Sequence, residues 1–318
     1  QSSELINARP PASEIGHAKR IDDAAGRYIE FCKGTFPGEY ALQGMKIVLD
    51  CANGASHRIA PTIFTELGAD VTTIHAEPNG LNINDNCGSQ HTGDLRKKVV
   101  ELGADIGLAF DGDADRLIAV DEKGEEISGD HVIAICAEHL KKIGQLRNDL
   151  VILTPMSNLG LRLVFDKMGI KWKDAGVGDR LVLELMKKEG ACLGGEQSGH
   201  VIFLDKHTTG DGIVTALQLL AVMKESQRRL SDLATIFQTA PQKLVNVIVK
   251  EKQSIETLPG VVRAIEKAEK ELGTKGRVLV RYSGTQPMCR VMIEATTQEI
   301  ADRLTESIAA EIRKAIGT

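Results

Sequence analysis

Glu101-Leu102-Gly103-Ala104-Asp105-Ile106-Gly107-Leu108-Ala109-Phe110 reads as a helix end, a glycine stop and a short apolar strand. Glycine just past a helix accepts the left-handed conformation that closes it. The same order recurs at Glu66-Leu67-Gly68-Ala69-Asp70-Val71. Looser copies stand at Lys167-Met168-Gly169-Ile170 and Lys188-Glu189-Gly190-Ala191. Short apolar runs between such helices point to β-α units and a buried, mostly parallel sheet. Residues 1–20 are polar, hold Pro10-Pro11 and read as a lead-in segment. A first α/β domain is expected over 21–145. It begins with helical spacing over 21–32 and the strand Met45-Lys46-Ile47-Val48-Leu49-Asp50, and 144–149 looks like a linker. A second α/β domain, opened by Leu150-Val151-Ile152-Leu153, is expected over 146–240. Pro241 opens a smaller C-terminal domain over 241–318: a strand near 243–249, a helix to about Leu272, strands at 277–282 and 289–295, and a last helix from Gln298. The expected fold class is therefore α/β. Two consecutive α/β domains with mixed, mostly parallel sheets precede a smaller α+β domain.

Composition narrows the function classes. Hydrophobic residues make up 42% and charged residues 26%, the balance of a globular protein. The net charge of −5 gives no bulk attraction to nucleic acid or to an anionic membrane, and aromatics at 3% leave little for base stacking. No apolar run approaches the roughly 20 residues that cross a bilayer, and no signal peptide is visible. The six cysteines are scattered without a Cys-x-x-Cys pair, so reduced thiols in a cytoplasmic protein are expected.

The chemistry sits in loops. Asp111-Gly112-Asp113-Ala114-Asp115-Arg116 follows the apolar run that ends at Phe110. Three carboxylates this close repel one another and ask for a cation. Oxygen-only ligands favour a hard ion such as Mg²⁺, Mn²⁺ or Ca²⁺. Gly112 and Ala114 keep the loop slim enough to curl. An EF-hand would use Asp111, Asp113, Asp115 and Glu122, but Arg116 stands where its turn wants glycine and the flanks read as strands. A solvated acidic turn is the other bland reading. Gly194-Gly195-Glu196-Gln197-Ser198-Gly199-His200 offers an acceptor and a hydroxyl at i and i+2, suited to vicinal sugar hydroxyls. His200 could move protons near neutral pH. Arg281-Tyr282-Ser283-Gly284-Thr285-Gln286-Pro287, followed by Arg290, makes a phosphate cradle by composition. Each of these two also reads as an ordinary turn. Gly176-Val177-Gly178-Asp179-Arg180 opens a helix, with Asp179 as its cap or as a substrate contact together with Arg180. Ser56-His57 fits a helix start better than a catalytic pair.

Taken together, the three loops resemble those of the α-D-phosphohexomutase superfamily. Its members carry Asp-Gly-Asp-x-Asp-Arg, Gly-Glu-x-Ser-Gly-His and Arg-x-Ser-Gly-Thr-x-Pro loops in this order. Gly80-Leu81-Asn82-Ile83-Asn84, Cys87-Gly88-Ser89, Gln197 and His207-Thr208-Thr209-Gly210-Asp211-Gly212 resemble the phosphoglucosamine mutase branch. The resemblance implies four domains around a cleft, with a phosphoserine in the first exchanging its phosphoryl group with a hexosamine phosphate through a 1,6-bisphosphate intermediate. It implies that Asp111, Asp113 and Asp115 hold one Mg²⁺, and that Glu196 and Ser198 bind sugar hydroxyls. His200 and Arg116 take catalytic roles, and Arg281, Ser283, Gly284, Thr285 and Arg290 anchor the idle phosphate. The partner expected is a small sugar phosphate, with room for a homodimer. Gln286 departs from the family's usual Glu. The nucleophile loop, Ser-His-Asn-Pro, occurs nowhere in the 318 residues, and the chain does not begin with Met. The chain is thus expected to align with domains two to four and to be inactive alone. The alternatives are a phosphomannomutase or phosphoglucomutase relative, a non-catalytic metal-dependent sugar-phosphate binder, and a calcium sensor.

Overall fold

The computed structural model describes residue 13 and residues 16–283 and 286–317. Three sheets follow one another along the chain. The first has the order β2-β1-β3-β4-β5, built from β1 (Lys46–Asp50), β2 (Asp70–Ile74), β3 (Ile106–Phe110), β4 (Leu117–Asp121) and β5 (Glu126–Ile127). β1 runs parallel to β2 and β3, whereas β3, β4 and β5 are antiparallel neighbours. The second has the order β7-β6-β8-β9, from β6 (Leu150–Leu153), β7 (Lys171–Asp174), β8 (Leu193–Gly195) and β9 (Val201–Phe203), with only the β8–β9 pair antiparallel. The third is antiparallel throughout, β10 (Gln242–Ile248), β12 (Met288–Glu294) and β11 (Arg277–Tyr282) in that order.

Gly103, Gly169 and Gly190 take left-handed backbone angles just past the helices Gly93–Leu102, Leu159–Met168 and Asp179–Glu189. Each therefore stops its helix and turns the chain toward the next strand, the role that the sequence pattern assigned to glycine. Apolar strands do the rest. β3 and β4 are buried at every position, because helices or loops cover both faces.

The first two sheets share one core. It runs from Leu49, Phe110 and Leu117 through the helices Gly129–Lys142 and Gly212–Ser226 to Leu153 and Phe203. Gly212–Ser226 is buried nearly all round, as a helix inserted between two layers must be. The third sheet keeps its own core, in which Val247, Val291 and Ile293 pack beneath the helices Pro259–Leu272 and Gln298–Ile316.

A polar joint ties the third sheet to the second. The Glu294 carboxylate on β12 is fully buried. It accepts from Asn158 Nδ2 at 3.0 Å and from the Leu159 N–H, and it pairs with Arg277. Asn158 also caps the helix Leu159–Met168, accepting from Gly160 N at 2.8 Å, and reaches Ala240 with both ends of its amide. One side chain thus closes a helix and fixes how the last unit sits on the middle one. Among the described residues no helix is long and apolar enough to cross a membrane.

Candidate active site

The acidic loop 111–116 is the turn between antiparallel strands β3 and β4, with Phe110 paired to Leu117 at its base. Ala114 adopts φ +64, so the loop curls as its small residues allow. One oxygen from each of Asp111, Asp113 and Asp115 falls within 4.8 Å of the others. Asp111 Oδ1 accepts from the Arg116 N–H at 3.1 Å. Burial pushes the Asp111 carboxyl up to about 6; the Arg116 N–H opposes this, and the charges of Asp115 and Asp113 add to it. Asp115 Oδ1 is buried without a hydrogen-bond partner among the described residues. The Arg116 guanidinium lies 3.7 Å from both Asp111 and Asp115, too far to satisfy them. The EF-hand reading falls here: strands flank the loop, and Glu122 is turned away, accepting from Ser231 Oγ at 2.6 Å.

Neighbouring turns, among them Ile83-Asn84 from the segment that resembled the mutase branch, buttress this loop. Gly54, in the turn after β1, approaches so closely that a Cβ there would stand 2.2 Å from Gly112 O. Ile83 and Asn84 pack on Gly112 from another side. Gly88 donates to the buried Asp50 carboxylate at 2.9 Å, which the Ala52 N–H and His75 also hold. Ser56 is buried in a short helical turn, Ala55–His57, as expected of a helix start.

Glu196 and Ser198 lie in the β8–β9 turn, which rests on the acidic loop through Leu117 N donating to Gly199 O at 3.1 Å. Glu196 Oε1 accepts from the Gly178 N–H at 3.2 Å, and Ser198 Oγ donates to Glu196 Oε2 at 3.3 Å. Gly178, not Asp179, is the N-cap of the helix Asp179–Glu189, and no side chain caps it. The Gly178 N–H goes to Glu196, and Asp179 is already inside the first turn. Arg180 is exposed and pairs with Glu184 four residues on, as surface helix residues do.

His200 is only 3% exposed, with Nδ1 3.1 Å from Asp115 Oδ2. It stands behind the acidic loop rather than on the cleft. Arg281 and Arg290 face each other across β11 and β12. Burial and the Arg290 charge hold the Arg281 guanidinium below its usual range. Among the described residues neither arginine pairs with a carboxylate, and Arg290 Nε is buried without a partner. Lys252 Nζ donates to Ser283 O at 2.6 Å, and Ser283 Oγ accepts from the Gln286 N–H. Gly284 and Thr285 lie outside the described residues.

Strands from all three sheets deliver these loops to one cleft of about 660 Å³, walled by Arg116, Glu196, Ser198, Arg281, Arg290 and Met156. Asp179 and Arg180 do not border it. Sequence reasoning missed Met156 and the Asn158–Glu294 joint beside it. The signal was present in Thr154-Pro155-Met156-Ser157-Asn158, a polar turn after a strand that ends on a capping residue.

Family models for phosphoglucomutase/phosphomannomutase match nearly the whole chain: domain II at 27–124, domain III at 128–240 and the C-terminal domain at 244–311. The chain belongs to that family. It is 59% identical to the phosphoglucosamine mutase of Syntrophobacter fumaroxidans over 99% of this chain and 70% of that protein. It is 56% identical to that of Syntrophus aciditrophicus, with the same coverage. Among solved structures, the Aspergillus fumigatus N-acetylphosphoglucosamine mutase, in complex with GlcNAc-6P and magnesium, superposes with a TM-score of 0.76 at 19% identity. The match covers 95% of this chain and 68% of that one, and it bears on the fold. The helix Gly129–Lys142 falls within the stretch matched by the domain III model.

Proposed function

We propose that this chain carries the metal, sugar and phosphate loops of a phosphoglucosamine mutase, which interconverts glucosamine 6-phosphate and glucosamine 1-phosphate through a phosphoserine and a 1,6-bisphosphate. The observation that carries this reading is the convergence of Glu196, Ser198, Arg281 and Arg290 on one cleft beside three clustered carboxylates. Identity of 48–59% to proteins named phosphoglucosamine mutase supports the choice of sugar.

In this reading Arg281 and Arg290 grip the phosphate that does not react. Their mutually repelling charges, paired with no carboxylate among the described residues, favour a dianion between them. Glu196 and Ser198 take sugar hydroxyls in either orientation of the substrate. Already hydrogen-bonded to each other and to Gly178, they are pre-set for that role. The acidic loop fits a divalent cation, Mg²⁺ by preference: its donors are all oxygen, the Asp111 carboxyl is pushed up to about 6, and Asp115 Oδ1 has no hydrogen-bond partner among the described residues. A cation there supplies positive charge to offset what develops on phosphoryl oxygens during in-line transfer. We assign His200 to positioning Asp115 rather than to proton transfer, since it is buried off the cleft.

Ser-His-Asn-Pro is absent from these 318 residues. The phosphoryl carrier must therefore be supplied in addition. The pure chain, given glucosamine 6-phosphate, bisphosphate and Mg²⁺, should bind the sugar phosphate and show no turnover. Turnover would refute the assignment of the carrier. Tighter binding of mannose or glucose 1-phosphate than of glucosamine 1-phosphate would move the reading to another mutase of the family.

A further inference from the structure

The stretch His207-Thr208-Thr209-Gly210-Asp211-Gly212 has no place in the cleft, yet it touches the acidic loop from behind. Asp211 caps the helix Gly212–Ser226, its Oδ1 accepting from Ile213 N and Val214 N. Its Oδ2 accepts from Tyr28 Oη at 2.6 Å, which fixes the turn to the helix Ala24–Thr35. The Gly212 N–H donates to Ala114 O at 2.9 Å. A Cβ on Gly212 would lie 2.5 Å from Arg116 O.

Gly210 is tighter still. A Cβ there would stand 2.2 Å from Nε2, 2.4 Å from Cε1 and 2.6 Å from Cδ2 of His200. Its backbone is not left-handed, so space rather than φ demands glycine. The imidazole thus has Gly210 against one edge, and its Nδ1 meets Asp115 on the other. Nε2 is buried and has no hydrogen-bond partner among the described residues, so no polar contact holds the ring from behind. Its position rests on the shape of the glycine.

We propose that Gly210 is a positioning residue for the metal loop, acting through His200 on Asp115. This rests on the reading of the three aspartates as a cation site. A side chain at 210 pushes the ring from its seat, and Asp115 loses the imidazole nitrogen that stands 3.1 Å from its Oδ2. Loss of such an outer partner lowers metal affinity by about 10- to 100-fold.

The test is a double-mutant cycle on the 318-residue chain, read by Mn²⁺ titration calorimetry and by thermal melts in EDTA. Gly210→Ala and His200→Ala are each expected to weaken Mn²⁺ binding at least tenfold. The double variant is expected to bind no worse than His200→Ala alone, and to melt higher than Gly210→Ala, because removal of the ring removes the clash. Wild-type Mn²⁺ affinity in a folded Gly210→Ala, or losses that add in the double variant, would overturn the proposal. Asp113→Asn separates the two readings. If Mn²⁺ binding survives it, the cation site fails and this role with it, while the EDTA melts still report whether Gly210 seats His200.

Discussion

Metal binding should weaken steeply as the pH falls below 6. The perturbation is pH alone. Asp111 must shed its proton to ligate a cation, and burial plus its two neighbours push its carboxyl up to about 6. Its ionised share falls from about nine-tenths at pH 7 to about one-tenth at pH 5, so apparent affinity should drop about tenfold. A carboxylate at its ordinary value near 4 would stay ionised at pH 5 and give almost no change. The sign for stability follows from the same shift. The folded pKa lies above the unfolded 3.8, so between about pH 3.8 and 6 the unfolded chain ionises Asp111 first. Metal-free stability is therefore lost as pH rises through that window. A bound cation offsets this cost, so the gap in melting temperature between the Mn²⁺-loaded and EDTA-treated chain should widen from pH 5 to pH 7. Calorimetric Mn²⁺ titrations at pH 5, 6 and 7 measure the affinity, with Asp111→Asn as the control that removes the slope. An affinity flat across those three values would show that the three carboxylates do not share a crowded, half-buried site, and the reasoning would fail.

Two other outcomes are expected. Asn158→Ala removes a helix cap worth about 1 kcal/mol and a donor to the buried Glu294 carboxylate worth about 1.5–3, so urea unfolding should show a loss of roughly 2–4 kcal/mol; a loss under 1 would mean that the joint is loose. Arg281→Ala should weaken glucosamine 1-phosphate binding by about 10- to 100-fold, with a reduced salt dependence, while Arg180→Ala, out on its helix surface, should leave it unchanged. Equal effects of the two would place the phosphate elsewhere.

Much of the site was legible because its residues are neighbours in sequence. Asp111, Asp113 and Asp115 are two apart, and so are Glu196 and Ser198. Local spacing alone brings such groups together in a tight turn. Helix stops at Gly103, Gly169 and Gly190 were equally local, since left-handed backbone just past a helix favours glycine, although Gln227 takes that role after Gly212–Ser226. Asp179 was misjudged as a cap because the helix starts one residue earlier than its sequence suggests: Gly178 is the N-cap, its N–H held by Glu196, 18 residues on from it, and Asp179 falls inside the first turn. His200 was read as a free proton carrier because no local pattern reveals that Asp115 and Gly210 enclose it.

By itself the sequence determined the order of the elements and the residue make-up of the three loops, since strand alternation, glycine stops and clustered charge all act over a few residues. Only the tertiary structure decided that Arg281, Glu196 and Arg116 share one cleft, that Arg290 Nε is buried without a partner among the described residues, and that His200 stands behind the acidic loop. Those facts depend on close approach between residues tens to hundreds of positions apart. Approach of that kind is set by the shared core, by Asn158 on Glu294 and by glycines that leave room for a neighbour.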